Sequence, residues 1–564
     1  MRYRRTKRRT GSTFTKLIPA LNGNPLTDQV KDENGNYGYY TKNNTAVNYL
    51  DNPLAVIETQ DQKNQNNFLL ASAFLEATVA KGLKLKTNFG VNVGDYSGYY
   101  FTPSHNRLQS PSLANYSQSA NNTAEYLWEN TLAYTRTFGA HTIDFVGGFS
   151  FQDNTNRSIG AGGNGLISDE LRNLGNVQTI TNIYGNQVSY SLASQFGRVS
   201  YNLLDRYLFT ATVRRDGSSK FAQENQYGVF PSVLVAWRVK NESFLANVNA
   251  ISDLKLRASY GQVGNQGGIA PFRYLGQYGT GGNSLSINNN GYPFNKVYQE
   301  GLVLQGLPNV NLKWETSVQT DIGLDAYFLN NKISFTADYY CKESRDFLLD
   351  IPVPSQTGFS VASRNVGSIR NSGVELGLEY REAEKPFKYG IGANLTTVNN
   401  KILSLYDGLN AIGNIGGLGF PNVGGNTWVE FSRSEVGGEV GAFYGYKSAG
   451  IFQTQAEIDA LNATASELNG ANTPYQASTT VPGDRKFQDL DGDGKITPAG
   501  DRAIVGSPIP DFFGGLNLDA SFKNFDFNMF WYASAGNDIF NYTSRVLQTF
   551  GATQGGIGLQ NISE

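Results

Sequence analysis

Hydrophobic and polar residues alternate along the segment 316–341. The residues of the apolar parity are Val318, Ile322, Leu324, Ala326, Phe328, Ile333, Phe335, Ala337, Tyr339 and Cys341. A period of two predicts two β-strands, and Leu329-Asn330-Asn331-Lys332 between them predicts the tight turn of a hairpin. Each strand runs about ten residues without a charge on its apolar parity, which is the length and pattern of a strand that spans a bilayer.

The same hairpin pattern recurs along the chain. We predict fourteen strands, paired as 71–79 with 83–93, 124–136 with 142–152, 190–203 with 207–215, 229–240 with 254–260, 316–328 with 333–341, 374–380 with 387–395, and 512–522 with 525–531. Long polar loops are expected at 94–123, 153–189, 216–228, 263–315, 346–370 and 399–511. Short turns on one side and long loops on the other are typical of outer-membrane barrels.

The pattern therefore predicts an all-β fold, namely a partial antiparallel transmembrane β-barrel with long extracellular loops. We expect a tail and loop at 1–66, six barrel hairpins at 67–398, an extracellular lobe at 399–511, and a further hairpin with a truncated C-terminus at 512–564. A soluble β-sandwich or propeller is the alternative, because any half-buried antiparallel strand alternates. Strand length and the aromatic residues near strand ends favour the barrel.

Within the lobe, the spacing of Thr454 and Glu457 is that of a capping box, and it predicts one short helix. The lobe also contains an acidic loop that begins at Asp489.

Composition agrees with a barrel. The chain has 63 Gly, 32 Tyr and 34 Phe with only 17% charged residues, and its mean hydropathy is -0.36. No run of about eighteen apolar residues exists, so the sequence predicts no transmembrane helix. The net charge of -2 argues against a nucleic-acid partner.

The N-terminus is basic, with Arg2, Arg4, Arg5, Lys7, Arg8 and Arg9. No apolar core follows this block, so it is not a secretory signal. We interpret it as an internal start in a longer reading frame, and a nucleic-acid-binding arm is the alternative.

The acidic loop has the spacing of a calcium-binding loop. Asp489, Asp491 and Asp493 stand at positions one, three and five, Gly494 stands at six and Lys495 at seven. Position twelve is Gly500, and Asp501 follows one place late, so a bidentate ligand there requires a bulged loop. The candidate Ca²⁺ ligands are thus Asp489, Asp491, Asp493, Lys495 and Asp501, and the alternative is an acid-rich turn without a metal.

Other candidate sites are weaker. The glycines of 416–419 lack the strand and helix that would make them a phosphate-binding loop. His105 falls in a predicted loop and His141 at a turn, and neither lies near a glycine-flanked serine, so we predict that the chain is not an enzyme. Cys341 lies on the apolar parity and is interpreted as a small lipid-facing residue. One cysteine and two histidines exclude a disulfide framework and leave almost nothing for a zinc site.

Seven motifs resemble one known family. They are LKLKTNFG at 83–90, ATVRRDGSS at 211–219, KLRASYG at 255–261, DYY at 338–340, FYGY at 443–446, the acidic loop at 489–495, and GNDIFN at 536–541. In this order they resemble the barrel of the SusC/RagA-type TonB-dependent transporters of Bacteroidetes. The resemblance covers nearly the whole chain after about residue 45.

The resemblance implies a barrel of about twenty-two strands with a plugged lumen in the Gram-negative outer membrane. It also implies import of glycans or peptides, a SusD-like lipoprotein partner outside, and coupling to the TonB complex through an N-terminal region. On this interpretation the signal peptide, TonB box and plug precede residue 1, and the last strands follow Glu564. The alternative function is that of a soluble or surface-displayed β-rich protein for carbohydrate binding or adhesion.

Overall fold

A computed structural model describes residues 2–6, 60–104, 113–279, 291–304, 306–359, 361–406, 408–413, 420–421 and 428–541. We number its strands β1 to β30 in chain order. Sixteen of them form one antiparallel sheet. They are β1 (Arg2–Thr6), β2 (Asp61–Ala80), β3 (Leu83–Thr102), β4 (Asn115–Phe138), β5 (His141–Leu166), β6 (Val177–Leu203), β7 (Tyr207–Ser218), β8 (Tyr227–Arg238), β9 (Ile251–Asn265), β14 (Glu315–Phe328), β15 (Ile333–Arg345), β18 (Ser368–Glu382), β19 (Phe387–Thr397), β20 (Asn399–Ser404), β29 (Phe512–Phe522) and β30 (Phe525–Ala535).

The strands of this sheet lie side by side in chain order. Each pairs with the strand before it and the strand after it, except that β20 turns back to pair with β18. Apart from β1 and β20, the sheet consists of the fourteen strands that the alternation predicts, so that prediction is confirmed. The described strands form an open sheet that ends at β1 and β30, as in a partial barrel.

Tight turns join the hairpins at one end of the sheet. Between β14 and β15, Leu329, Asn330 and Asn331 have φ values of 52°, 59° and 65°. Asparagine tolerates this left-handed conformation better than most residues, which explains the choice of residues in the turn. The turn predicted from the sequence is confirmed.

The register places most of the apolar residues of the long strands on one face of the sheet. Along one row, consecutive partners in β8, β9, β14, β15, β18 and β19 are Trp237, Leu256, Leu324, Ala337, Leu376 and Leu395. Because side chains alternate across a strand, the residues between them lie on the other, polar face. We call these the apolar face and the polar face.

Large side chains on the apolar face are exposed. Ile322 is 59% exposed, Leu378 is 54% exposed and Phe527 is 53% exposed. A soluble sheet would bury such a face against a second layer, because continuous apolar patches of this size are unfavourable in water. Lipid is the solvent that this face suits. Among the described residues, no helix has the length and hydrophobicity needed to cross a membrane.

The prediction of loops at 94–123 and 153–189 is wrong over much of both segments, because strands continue into them. Strands β3 and β4 extend into the segment 94–123, and β5 and β6 extend into 153–189. The backbone ladder continues there with Tyr96 opposite Asn121 and Ser158 opposite Asn186. Both faces of these extensions are largely polar, so the alternation disappears although the strands go on. The loops at 216–228, 263–315 and 346–370 are confirmed as the connections between long strands.

Segment boundaries also differ at the termini of the sheet. Strand β2 begins at Asp61 rather than at 67. Arg2, Arg4 and Arg5 lie in β1, which pairs with residues of β2, so this part of the predicted tail is a strand. Lys7, Arg8 and Arg9 lie outside the described residues. The first residues of the predicted lobe, 399–404, form β20 and belong to the sheet.

The remaining strands form small sheets in the loops. They are β10 (Tyr278–Gly279), β11 (Gly291–Phe294), β12 (Val297–Glu300), β13 (Val303–Leu304), β16 (Leu348–Pro352), β17 (Val361–Asn365), β21 (Ala411–Gly413), β22 (Phe420–Pro421), β23 (Trp428–Val429), β24 (Ser432–Glu435), β25 (Ala442–Tyr446), β26 (Ser448–Ile451), β27 (Arg485–Phe487) and β28 (Arg502–Gly506). Short 3-10 helices occur at Leu174–Asn176, Gln223–Asn225, Val239–Asn241 and Ser355–Thr357.

The lobe contains the helix that the capping box predicts. Helix α1 spans Gln455–Asn469, and the side chain of its N-cap residue Thr454 accepts a hydrogen bond from the Glu457 backbone N–H at 3.3 Å. The buried face of α1 contributes Ile458 and Ala465 to a small core with Phe452 and Tyr475. The lobe therefore has a hydrophobic core of its own.

The exposed apolar face generates a test of membrane insertion. Ile322→Arg in the protein expressed from its native locus places a charge against lipid, which costs about 2–4 kcal/mol near the middle of the bilayer. We expect less folded protein in the outer membrane, measured as the band whose gel mobility changes on heating. Gln319→Arg on the polar face of the same strand is the control and should leave that band intact. Equal loss in both variants contradicts the assignment of faces.

Candidate functional site

The acidic loop lies between β27 and β28 at the surface of the lobe. Carboxylate oxygens of Asp489, Asp491 and Asp493 lie within 4.8 Å of one another. Gly492 and Gly494 adopt φ values of 76° and 84°, which let the backbone turn tightly between the aspartates. The structure thus brings together three of the five candidate ligands.

Backbone N–H groups hold these carboxylates in place. Asp489 accepts hydrogen bonds from the N–H groups of Gly492 and Gly494 at 2.7 and 2.8 Å. Asp491 accepts from Asp493 at 3.2 Å, and Asp493 accepts from Lys495 at 3.0 Å. A carboxylate has about four lone-pair positions, so each retains acceptor capacity beyond these bonds. The arrangement suits either a hard cation or a plain acidic turn.

Asp501 has a different role. Its side chain is 0% exposed, and its two oxygens accept the N–H groups of Leu490 and Thr497 at 2.7 and 2.6 Å. These bonds join the start of the loop to its end. Asp501 therefore lies outside the three-aspartate group and closes the loop. The neighbouring Gly500 packs against the Asp491 carboxylate, where a larger residue would collide.

Lys495 contributes its backbone to the loop. Its ammonium lies 3.9 Å from an Asp493 carboxylate oxygen, and its N–H bonds to the same residue. The carbonyl at position seven is the atom that a calcium-binding loop of this type would use.

The core of the lobe supports the loop. Asn469 at the end of α1 donates its amide N–H to the Asp493 carbonyl at 2.6 Å, and the Ile496 N–H bonds to the Tyr475 carbonyl at 2.6 Å. Burial raises the pKa of Tyr475. At the other end of α1, hydrogen bonding to Lys486 lowers the pKa of Glu457. The loop is therefore held by a folded unit on both sides.

The other candidate residues that the structure describes lie in separate strands. His141 begins β5, where its Nδ1 lies 2.7 Å from the Tyr201 hydroxyl and its ring stacks on Phe138. Cys341 lies in β15 on the apolar face, opposite Thr320. His105 and the glycines of 416–419 lie outside the described residues.

The polar face carries a network of charged side chains that the sequence did not predict. Arg257 in β9 lies 3.0 Å from Asp321 and 3.5 Å from Asp325, both in β14, and 2.6 Å from Asp338 in β15. Lys255 lies 2.6 Å from Asp325. All five side chains are partly buried, so their ion pairs are screened less by water than ordinary surface pairs.

Gly323 creates the space for this network. It pairs with Arg257 on one side and with Asp338 on the other. A Cβ atom at Gly323 would lie 2.6 Å from the guanidinium carbon of Arg257 and would also collide with Asp338. The glycine therefore lets the guanidinium cross β14. In the sequence, the only sign was that Asp321, Asp325 and Asp338 share the polar parity of two consecutive strands.

The network predicts a stability effect. Arg257→Leu leaves three carboxylates beside a single lysine, and we expect a loss of about 2 kcal/mol because the desolvated acids lose their hydrogen-bonded partner. The temperature at which the folded band converts to the heated form should fall. This temperature should fall less in Arg257→Lys. It should not change in Lys388→Leu, which removes an exposed cation from the same face. An unchanged transition in Arg257→Leu would show that the network adds nothing.

Comparison with known proteins identifies the architecture. Residues 2–491 match the family model described as TonB dependent receptor-like, beta-barrel. TonB-dependent receptor P3 of Formosa agariphila is 34% identical over 528 residues, covering 90% of this chain and 48% of that protein. TonB-dependent receptor SusC of Bacteroides thetaiotaomicron is 33% identical over 354 residues, covering 62% of this chain and 32% of that protein.

Solved structures agree on the fold. The structure of the RagAB peptide transporter superposes with a TM-score of 0.74 at 23% identity, covering 92% of this chain and 53% of that one. A sheet of long antiparallel strands with one exposed apolar face and one polar face is typical of an outer-membrane β-barrel. The chain belongs to the TonB-dependent receptor family. It is an outer-membrane protein, its polar face lines the barrel lumen, and it spans about half the length of the curated relatives it matches.

Proposed function

We propose that the chain serves TonB-dependent import of oligosaccharides or peptides across the outer membrane. The observation that carries this proposal is the single sheet with an exposed apolar face and a polar face, in a chain of the TonB-dependent receptor family. Relatives named SusC and P3 are TonB-dependent receptors, and RagAB is a peptide transporter. The described strands would form the wall of the importer.

We further propose two partners. A SusD-like lipoprotein would cover the extracellular side, where the long strand extensions and the lobe lie. The TonB complex would supply energy from the periplasmic side, where the tight turns lie. Likeness to SusC supports both partners. The role proposed for this chain is transport, without catalysis.

The alternative of a soluble or surface-displayed adhesion protein fits the exposed surface poorly. Fourteen strands present one apolar face, and side chains such as Ile322 and Leu378 on it are more than half exposed. Such a surface would drive aggregation in water.

Energy coupling gives the direct test. Deleting TonB from the native host should abolish uptake of the transported oligosaccharide or peptide, because release of substrate into the periplasm then lacks its energy source. Uptake of a small sugar through general porins is the control and should continue. Substrate uptake that persists at the wild-type rate without TonB would contradict the proposed function.

We also propose that Asp489, Asp491 and Asp493 bind Ca²⁺, with the Lys495 carbonyl as a further ligand. The convergent carboxylates within 4.8 Å support this proposal. Asp501 would close the loop rather than contact the ion, since its oxygens accept backbone N–H groups. A bound ion would offset the repulsion among the three carboxylates and stiffen the loop against α1.

Calorimetry on the detergent-solubilised protein tests the calcium site. We expect a dissociation constant of about 0.1–1 mM, as in extracellular calcium modules. Asp491→Ala should abolish the binding heat, and Glu467→Ala on the exposed side of α1 should leave it unchanged. Absence of heat in the unmodified protein at millimolar Ca²⁺ would leave only the acidic turn.

A further inference from the structure

A pocket opens on the polar face at the outer ends of β2 to β6. Its volume is about 170 Å³, and the side chains that shape it belong to Gln62, Asn64, Tyr96, Tyr100, Asn182 and Tyr184. Pockets that enclose a drug-sized ligand are larger, from about 300 Å³. This pocket therefore fits one part of a longer ligand.

The register places the pocket on the lumen side of the wall. Tyr100 pairs with Gln62 and with Ser117, and Tyr96 has the same parity as Asn88 and Asn92 on the polar face. The β3–β4 ladder runs without a bulge from Leu83 to Thr102, so the parity does not change along it. The opposite face of these strand ends is covered separately, because Arg172 stacks over Phe101 at 4.1 Å and pairs with Asp61 at 3.2 Å.

The pocket also lies beyond the membrane. Fourteen positions separate Tyr96 from Gly82 in the turn at the other end of the strand. A strand crosses the bilayer core in about 9–11 residues. The pocket is therefore on the extracellular part of the wall, ahead of the transmembrane lumen, where an incoming substrate first meets the barrel.

A glycine leaves room for one pocket side chain to lie against the sheet. Tyr184 lies opposite Gly160, and a Cβ at Gly160 would lie 2.5 Å from the Tyr184 ring. The ring consequently lies flat over the backbone of its neighbour, with 49% of the residue exposed. The Tyr96 hydroxyl donates to the Asn64 amide oxygen at 2.8 Å, which fixes a second ring. Both contacts restrain these rings without a ligand, so binding should cost little side-chain entropy.

The chemistry of the lining selects a class of ligand. Among the described residues that line the pocket, none is charged; they offer amides, hydroxyls and aromatic rings. Amides and hydroxyls both donate and accept hydrogen bonds, as sugar hydroxyls require. An exposed flat tyrosine ring packs against the apolar C–H face of a sugar ring. A charged peptide or an acidic polysaccharide would lose hydration here without gaining an opposite charge.

We propose that this pocket is a binding subsite for one ring of a neutral oligosaccharide, with Tyr184 as the stacking platform and Asn64 and Asn182 as hydrogen-bonding partners. The proposal rests on the proposed import function and names its substrate class. It favours neutral sugars over peptides for this transporter.

Binding can be measured apart from transport. The detergent-solubilised protein, expressed from its native locus, is titrated with neutral glucan, mannan, galactan and xylan oligosaccharides, with an oligouronate and a hexapeptide as comparators. We expect at least one neutral oligosaccharide to bind and the comparators not to. Tyr184→Ala should weaken that binding at least tenfold, and Tyr184→Phe should retain most of it because the ring remains.

A second variant and a control separate the pocket from general damage. Gly160→Ala should displace the Tyr184 ring and weaken binding while the heat-modifiable folded band persists. Tyr278→Ala, at a tyrosine that is 68% exposed in a different extracellular loop, should bind like the unmodified protein.

Two results overturn the subsite. One is that no neutral oligosaccharide of the panel binds, and the other is that Tyr184→Ala and Gly160→Ala bind as tightly as the unmodified protein. Preferred binding of the hexapeptide or oligouronate that Tyr184→Ala abolishes also overturns the neutral-sugar assignment. Loss of TonB dependence in uptake, with pocket binding intact, would instead contradict the proposed import function, so the two failures are distinguishable.

Discussion

The structure depends on one constraint, which is that every backbone N–H and carbonyl group in the bilayer must find a partner within the protein. The antiparallel ladder meets this requirement between neighbouring strands, and it does so only if the register continues. A slip of one residue would turn every apolar side chain of a strand into the lumen. The register shifts between paired long strands lie near strand ends, for example at Thr78/Ala80 and Tyr327/Phe328. The spanning parts are consequently continuous.

The same hydrogen-bonded ladder continues from the membrane into the extracellular water. Within the membrane it displays Ile322 and Leu378 to lipid and Arg257 with its aspartates to the lumen. Beyond the membrane it continues through the extensions of β3 to β6, where polar side chains predominate on both faces because neither face meets lipid. There Tyr96, Asn182 and Tyr184 form a polar aromatic pocket on a rigid scaffold. The proposed binding subsite thus lies where the lipid constraint ends.

The lobe is stabilised differently from the large sheet. It folds around a small core of its own at α1, and the acidic loop is fastened to that core through Asn469 and Tyr475. Asp501 is completely buried and closes the loop through two backbone N–H groups. The loop is therefore a preformed structure on the extracellular side, separate from the strands that cross the membrane.

The sequence by itself determined the strands, their turns and the face that meets lipid, because a period-two pattern reports which side of a strand is apolar. It also determined helix α1, since the contacts of Thr454 and Glu457 are local. It did not reveal the strand extensions, because polar residues predominate on both faces there and leave no alternation to detect. Nor could it show that Arg257 reaches Asp338 across Gly323, or that Tyr184 lies over Gly160. Those contacts join residues far apart in the chain, and only the pairing register of the folded sheet brings them together.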